Sequence, residues 1–470
     1  MIKFILNNQS IETDLPKGST VLDFARYHKN LKGTKIGCRE GDCGACTILV
    51  GELNNDSVKY RTQTSCLVPL ANARGKHIVT VEGINRPNDD LTAVQQALVD
   101  VSGTQCGFCT VGFVMSLTGF SIDDMPKTLE SAISAIDGNI CRCTGYKSIE
   151  RAAARISEQL AVSSEQLKQP DAATNRLNFA VEKGIVPNYF SGIRDRLSGL
   201  KAANDCSPLT AHRSLFISGG TDLYVQRPEE MVHAAAENLF DNYELRFIED
   251  YDEYIEIGAS ATVTNLLESK LINGVFPKLY KHLKLVSSTP IRNMATLAGN
   301  FANASPIGDM TMWFLGLDAK IIFNSEREIT LKDFYLGYKK LARSQDEYIT
   351  KIRFSKNFTH FNFEKVCKRT YLDIASVNTA ISLTVEKNTI KNAHVSAGGV
   401  SPIPLYLRKT STFLKDREIN AATIAEANEI LQTEISPISD VRGSESYKRL
   451  LARQLFTAHF VELFDFQPQI

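Results

Sequence analysis

Eight of the ten cysteines in this 470-residue chain fall into two groups whose spacing suits metal ligation. The first is Cys38, Cys43 and Cys46, a C-x4-C-x2-C run, with Cys66 downstream. Four thiolates drawn from one loop and a nearby strand can converge on two irons, and this is the plant-type 2Fe–2S spacing. Gly37, Gly41 and Gly44 allow the tight turns that such a loop needs. A structural zinc site favours paired C-x2-C units and fits the triple poorly. The second group is Cys106 with Cys109 (C-x2-C) and Cys141 with Cys143 (C-x-C). Each half lies just before a predicted helix. A helix N-terminus favours thiolate and the negative charge of a thiolate-held cluster. On spacing alone this quartet suits zinc or a cluster, and its place after a ferredoxin-type unit favours the cluster. Cys206 and Cys367 stand alone and are expected to be small buried hydrophobes. The eight histidines form no ligand-spaced pair.

The rest of the composition sets the frame for this chemistry. Lys plus Arg and Asp plus Glu both total 53, so no net field steers the chain to nucleic acid or an anionic membrane. No apolar run approaches the roughly 20 residues that span a bilayer. The opening Met1-Ile-Lys-Phe-Ile-Leu-Asn-Asn has no small-residue cleavage pattern, so a cytoplasmic location with free thiols is expected rather than a disulfide framework. The length suits roughly three or four domains.

Several elements position the cysteines. Residues 2–6 and 11–15 suggest a hairpin, and Ser19 or Thr20 a cap for a helix through Val21, Leu22, Phe24 and Ala25 to Tyr27. Thr47–Val50 and His77–Val81 alternate like strands. Helical spacing follows at 91–99, 111–120, 128–136 and 148–160. Residues 161–187 turn polar and irregular, as an interdomain linker does. Beyond them strands are expected at 215–218, 254–258, 319–323, 347–354, 381–385 and 393–397. Helices near 420–433 and 444–464 close the chain, the last with Tyr447, Leu450, Leu451, Leu455 and Phe456 on one face.

Gly219-Gly-Thr-Asp follows a short apolar strand, and two glycines at a strand end can expose N–H groups to a pyrophosphate, though such a pair is usually only a turn. It is not G-x-G-x-x-G, so a doubly wound dinucleotide fold is not indicated. A second segment, Ser287 to Asp309, is rich in small and hydroxyl residues, which alone describes a loop with Ser/Thr turns.

Taken together, Gly37-Cys-Arg-Glu-Gly-Asp-Cys-Gly-Ala-Cys, Gln105-Cys-Gly-Phe-Cys and Asn139-Ile-Cys-Arg-Cys-Thr-Gly-Tyr resemble the paired iron–sulfur domains of the molybdenum hydroxylases. That family includes xanthine dehydrogenase, aldehyde oxidase and CO dehydrogenase. Ala-Thr-Leu-Ala-Gly-Asn (295–300) and Ala-Ser-Pro-Ile-Gly-Asp (304–309) resemble its FAD loop. Two positions depart from the family pattern: Val111 stands for Pro, and Ala298 for the first Gly of Gly-Gly-Asn. The order of parts is similar to the small subunit of bacterial two-subunit xanthine dehydrogenases.

The resemblance implies an α+β multidomain chain. A β-grasp, plant-type ferredoxin-like 2Fe–2S domain would occupy 1–84 and a four-helix 2Fe–2S domain 85–160. After the linker at 161–187, a two-part α+β FAD-binding domain would run over 188–356 and a C-terminal α+β flavoprotein domain over 357–470. FAD would contact Phe216, Ile217, Ser218, Gly219, Gly220, Thr221, Asp222 and Leu223, then Thr296, Leu297, Ala298, Gly299, Asn300 and Asp309, with Val286 and Ile349 as apolar neighbours. Lys365 stands where the family places a lysine near the flavin, or is an ordinary solvated strand residue. Asp373-Ile-Ala matches a segment near the flavin face. Gln105 is placed to touch a partner's pterin, or to cap a helix. No catalytic side chain is assigned to this chain beyond the flavin. The implied partner is a larger molybdopterin subunit carrying the molybdenum cofactor, in a heterotetramer of two small and two large chains. NAD+ is the implied acceptor, with dioxygen as the alternative. The implied substrates are hypoxanthine and xanthine, with an aldehyde or another heterocycle as the alternative. A free-standing iron–sulfur flavin carrier or a zinc scaffold is the reading from a different class.

Overall fold

A computed structural model describes residues 1–55, 57–86, 90–164, 172–202, 215–369 and 371–467. Cys206 lies outside them. The chain divides into two units, Met1–Thr210 with Gly220–Asn238 and Ser288–Met294, and Ala211–Gly219 with Leu239–Ser287 and Ala295–Ile470. No helix among the described residues is long and apolar enough to cross a membrane.

In the first unit, Ile2–Leu6 runs antiparallel to Gln9–Thr13 through a turn at Asn7, whose φ of 53° an asparagine tolerates. Ile2–Leu6 pairs in parallel with His77–Val79, which pairs antiparallel with Thr47–Asn54, and Ser57–Thr64 forms the far edge. Thr20 caps the helical turn Val21–Asp23 by accepting from Asp23 N–H, and the turn continues as a wider π-type segment, Phe24–His28. Phe24 meets Phe4 edge-on at 5.4 Å, which seats the helix on the sheet. A mixed sheet holding one helix is the expected β-grasp layout.

Four helices follow at Ala93–Asp100, Thr110–Ile122, Leu129–Ala135 and Lys147–Ser164. Thr92 and Gln95 close a capping box on the first. Thr110–Ile122 is buried along its whole length from Gly112 onward. A Cβ at Gly112 would stand 2.2 Å from Gly44 O, so only glycine lets this helix touch the first cysteine loop. The stretch expected to be an irregular linker is different in the described part. Ala172–Glu182 is helical, and Ala180, Ile185, Val186 and Phe190 are buried in the helical core.

The second unit holds an antiparallel five-stranded sheet in the order Glu328–Thr330, Lys320–Phe323, Ile349–Ser355, Tyr254–Gly258, Ile248–Asp250. A four-stranded antiparallel sheet runs His360–Val366, Val377–Glu386, Thr389–Gly398, Leu405–Tyr406. Trp313, Phe314, Phe354 and Phe363 fill the core of this unit. The closing helices are Ala421–Glu434 and Glu445–Phe464. The last one buries Lys448, Leu451, Ala452, Leu455, Phe456, His459 and Phe460, whereas Tyr447 and Leu450 are exposed, contrary to the sequence expectation. The Lys448 stem takes the inward place because its ammonium reaches Asp440 at 2.7 Å and Ile438 O at 2.9 Å.

A buried polar chain links His282 Nε2 to Asn362 Oδ1 (3.2 Å), Asn362 Nδ2 to His459 Nδ1 (3.0 Å) and His459 Nε2 to Thr379 Oγ1 (2.9 Å). Burial lowers His459 to about 3 and His282 to about 4, from 6.5. Between those values the unfolded chain takes up protons that the folded one refuses. The stability these histidines permit is therefore complete above pH 6.5 and falls as pH drops from 6.5 toward about 4 and then 3. The expected slope is about 1.4 kcal/mol per pH unit for each such proton. Urea titrations across this range should show that fall, and His459→Gln should make it shallower.

Candidate functional site

The eight cluster-spaced cysteines meet as pairs. Cys38 pairs with Cys43 and Cys46 with Cys66, with thiol hydrogen bonds inside each pair. Cys143 Sγ stands 3.6 Å from Cys106 Sγ, and Cys109 shares a hydrogen bond with Cys141. Among the described residues, no three His, Cys, Asp or Glu side chains gather around a single point. Two pairs per quartet is the donor set of a binuclear cluster, in which each iron takes two thiolates.

Local geometry favours thiolate at one member of every pair. The Cys43 thiol donates to Cys38 and, with the backbone N–H groups of Glu40 (3.3 Å) and Cys43 (3.4 Å), holds Cys38 down to about 5. The Cys66 thiol lowers Cys46 in the same way and is itself pushed up by that bond and by burial. Cys106 is lowered by the Phe108 N–H and then by Cys143. Burial raises Cys141, but the Thr144 hydroxyl (3.1 Å) and N–H (3.5 Å) outweigh it, while burial and then Cys141 push its partner Cys109 up to about 12. N–H groups aimed at sulfur stabilise a ligand thiolate and tune a bound cluster. The residues present fit 2Fe–2S clusters on these grounds.

The two cysteine loops are joined directly. Ile140 N–H donates to Cys43 O (3.0 Å), and Asn139 Nδ2 to Gly44 O (3.1 Å), while Asn139 Oδ1 accepts from Ser116 (2.7 Å). Gly44 has φ +69°, and a Cβ there would meet Gly138 O at 2.3 Å. Cys46 and Cys66 are buried, whereas Cys106 and Cys143 are exposed. Gln105 is exposed beside them.

The proposed flavin residues gather in three places. Phe216, Ser218, Ala298, Gly299 and Ile349 line one cleft of about 90 Å³ in the second unit, so the two flavin segments do converge there. Thr296 caps the helix Leu297–Asn303 by accepting from Gly299 N–H, and Ala298 forms cleft wall. Ile217 and Leu297 are buried beneath, and Val286 packs in the core of the unit. Asn300 Oδ1 accepts from Thr311 N–H at 3.0 Å. Gly219 belongs to the second unit, while Gly220, Thr221, Asp222 and Leu223 belong to the first. There Gly220 takes φ +75° and Asp222 precedes the short helix Leu223–Gln226.

Asp309 and Lys365 are not among the cleft residues but form a buried cluster of their own. Lys365 Nζ donates to Asp309 Oδ2 (2.6 Å) and Leu285 O (2.7 Å), and Asn378 Nδ2 to Asp309 Oδ1 (2.6 Å). The Lys365 side chain is fully buried, so it is not a solvated strand residue. Asp373 binds Arg369 through its N–H and guanidinium. Cys367 is half-buried rather than enclosed, and its thiol donates to Arg369 O.

Sequence reasoning missed Arg343, Glu347 and Tyr348, which also line the cleft. Phe216 and Tyr348 rings lie 4.8 Å apart. Glu347 accepts two bonds from Arg327 (2.9 and 2.7 Å), which with Ser344 and Ser325 hold its carboxyl well below the usual range. The available signal was an acidic residue two positions before the strand Ile349–Ser355. Apolar walls with few polar groups suit part of a flavin dinucleotide.

Four family models match: a 2Fe-2S iron-sulfur cluster binding domain over 4–71, a 2Fe-2S binding domain over 80–154, a FAD binding domain in molybdopterin dehydrogenase over 201–355, and a CO dehydrogenase flavoprotein C-terminal domain over 363–463. The xanthine dehydrogenase of Emericella nidulans is 29% identical over 97% of this chain. The chain is similar to a part of that xanthine dehydrogenase. The Oryza sativa enzyme is 27% identical over 90% of the chain, and the Gallus gallus xanthine dehydrogenase/oxidase 25% identical over 97%. The chain spans 38%, 36% and 39% of these three relatives' lengths. A carbon monoxide dehydrogenase chain from Hydrogenophaga pseudoflava shares the fold over 53% of this chain and 88% of its own, with TM-score 0.50 and 20% identity. The chain thus carries two 2Fe–2S domains, a FAD-binding domain and a flavoprotein C-terminal domain.

Proposed function

We propose that this chain is the electron-transfer subunit of a xanthine dehydrogenase-type molybdenum hydroxylase. When bound, its clusters and FAD carry electrons from a molybdenum cofactor on a larger partner to NAD+, the flavin converting single electrons to hydride. The domains in this reading run 1–84, 85–160, 188–356 and 357–470. Cys106, Cys109, Cys141 and Cys143 hold the cluster nearer the partner, which the exposure of Cys106 and Cys143 supports. Cys38, Cys43, Cys46 and Cys66 hold the second, on whose inner side Cys46 and Cys66 are buried. Phe216, Ser218, Ala298, Gly299 and Ile349 wall the cofactor cleft and keep water from it. Lys365 and Asp309 fix the helix that begins at Asp309.

One observation carries the reading: the loops of the two quartets are hydrogen-bonded to one another through Cys43 O and Ile140 N–H. Separate structural metals need no such bridge, whereas redox centres that exchange electrons must be held close. The reading places two copies of each chain in the enzyme and hypoxanthine and xanthine in the partner's site. Purified with its partner, the chain should support hypoxanthine-dependent NAD+ reduction. Turnover of aldehydes or other heterocycles without purines would replace the substrate, and no turnover with any partner would leave a free-standing carrier.

A further inference from the structure

Residues Ser288–Met294 belong to the cysteine unit, although the chain on both sides belongs to the other. This short clip touches both cysteine loops. Thr289 N–H donates to Asp137 Oδ1 (2.7 Å), and Thr289 Oγ1 to Ser134 O (2.9 Å). Arg292 Nη2 donates to Asp137 Oδ2 (2.7 Å) and to Thr289 Oγ1 (2.7 Å). The Arg292 and Asp137 side chains are only 4% and 5% exposed. Asn293 Nδ2 donates to Thr62 O (2.8 Å) on the strand that leads to Cys66. A Cβ at Gly41, within the first cysteine loop, would meet Ile291 Cδ1 at 2.8 Å, so Ile291 braces that loop. Asp137 opens the turn whose Asn139 and Ile140 bind Gly44 O and Cys43 O.

A buried ion pair is rarely retained for stability alone, since apolar residues of like volume do as well. It does fix one arrangement of the groups that make it. We propose that Asp137, Thr289 and Arg292 are positioning residues that set the spacing of the two cysteine quartets, and with it the electronic coupling between their clusters. The clip holds the turn before Cys141 from one side and the Gly41 loop from the other, so neither loop moves independently. This rests on the two-cluster reading.

The test uses the full chain reduced with dithionite, with no partner or substrate. Electron paramagnetic resonance should show spin–spin splitting between two reduced clusters, and pulsed reduction should give their rate of electron exchange. Thr289→Val, which keeps the side-chain volume, and Arg292→Met should keep both signals but lose splitting. Exchange should slow measurably against the unsubstituted chain. Arg292→Lys should restore most of both. Unchanged splitting and rate in Thr289→Val overturn the proposal, whether or not Arg292→Met folds. A single cluster signal in the unsubstituted chain overturns the two-cluster reading beneath it.

Discussion

Cys66→Ala should erase one of two iron–sulfur signals and leave the other intact. Cys66 is 4% exposed, in a turn fixed by Ser65, whose N–H and hydroxyl both bind Cys46 O, at 3.2 and 2.7 Å. The turn therefore survives the substitution, and what is lost is one of the two thiols on that side of the quartet. Cys46 is left without its sulfur partner in a buried site. The second quartet stands on other loops and keeps its four thiols. Substrate-driven flavin reduction in the assembled enzyme should fall by more than about 10²-fold, beyond the 10- to 100-fold typical of an outer-shell metal partner. On the proposed route, flavin reduction by NADH should be unaffected, because those electrons would enter from the other end. Spectra and the two rates separate this outcome from unfolding, which would remove both signals and both activities.

Lys365→Met should destabilise the flavin unit by about 3–5 kcal/mol, the usual cost of leaving one member of a buried ion pair alone. Asp309 then keeps only Asn378, and its second oxygen faces a buried methionine. Denaturant midpoints measure the loss. On the flavin reading, cofactor content falls as well. The double variant Lys365→Met/Asp309→Leu separates the two roles. Removing both charges should recover much of the stability, but flavin content should stay low. Full recovery of flavin in the double variant would show that the pair serves only folding.

The first grouping of cysteines was legible because most of it is local: the spacing of Cys38, Cys43 and Cys46 brings them together almost without reference to the fold. The second needed its neighbours, since C-x2-C and C-x-C are joined only when the buried helix Thr110–Ile122 and the turn at Asn139 come together. The clip was illegible. Thr289, Arg292 and Asp137 each look like ordinary polar residues until tertiary structure buries them together. The Glu347 network was missed for the same reason. At 161–187 the polar residues before Ala172 masked a helical pattern at Leu177, Ala180 and Val181. On the last helix, the apolar stripe was read toward Tyr447 and Leu450, because a buried lysine with a distant aspartate partner cannot be foreseen from pattern.

The central claim is that eight cysteines of this chain hold two 2Fe–2S clusters. The most direct measurement is electron paramagnetic resonance of the full-length, dithionite-reduced protein with metal analysis of the same sample. Two distinct reduced 2Fe–2S signals of equal intensity are expected, one of which disappears in Cys66→Ala and the other in Cys141→Ala. A single signal, or stoichiometric zinc in place of iron, would contradict the account.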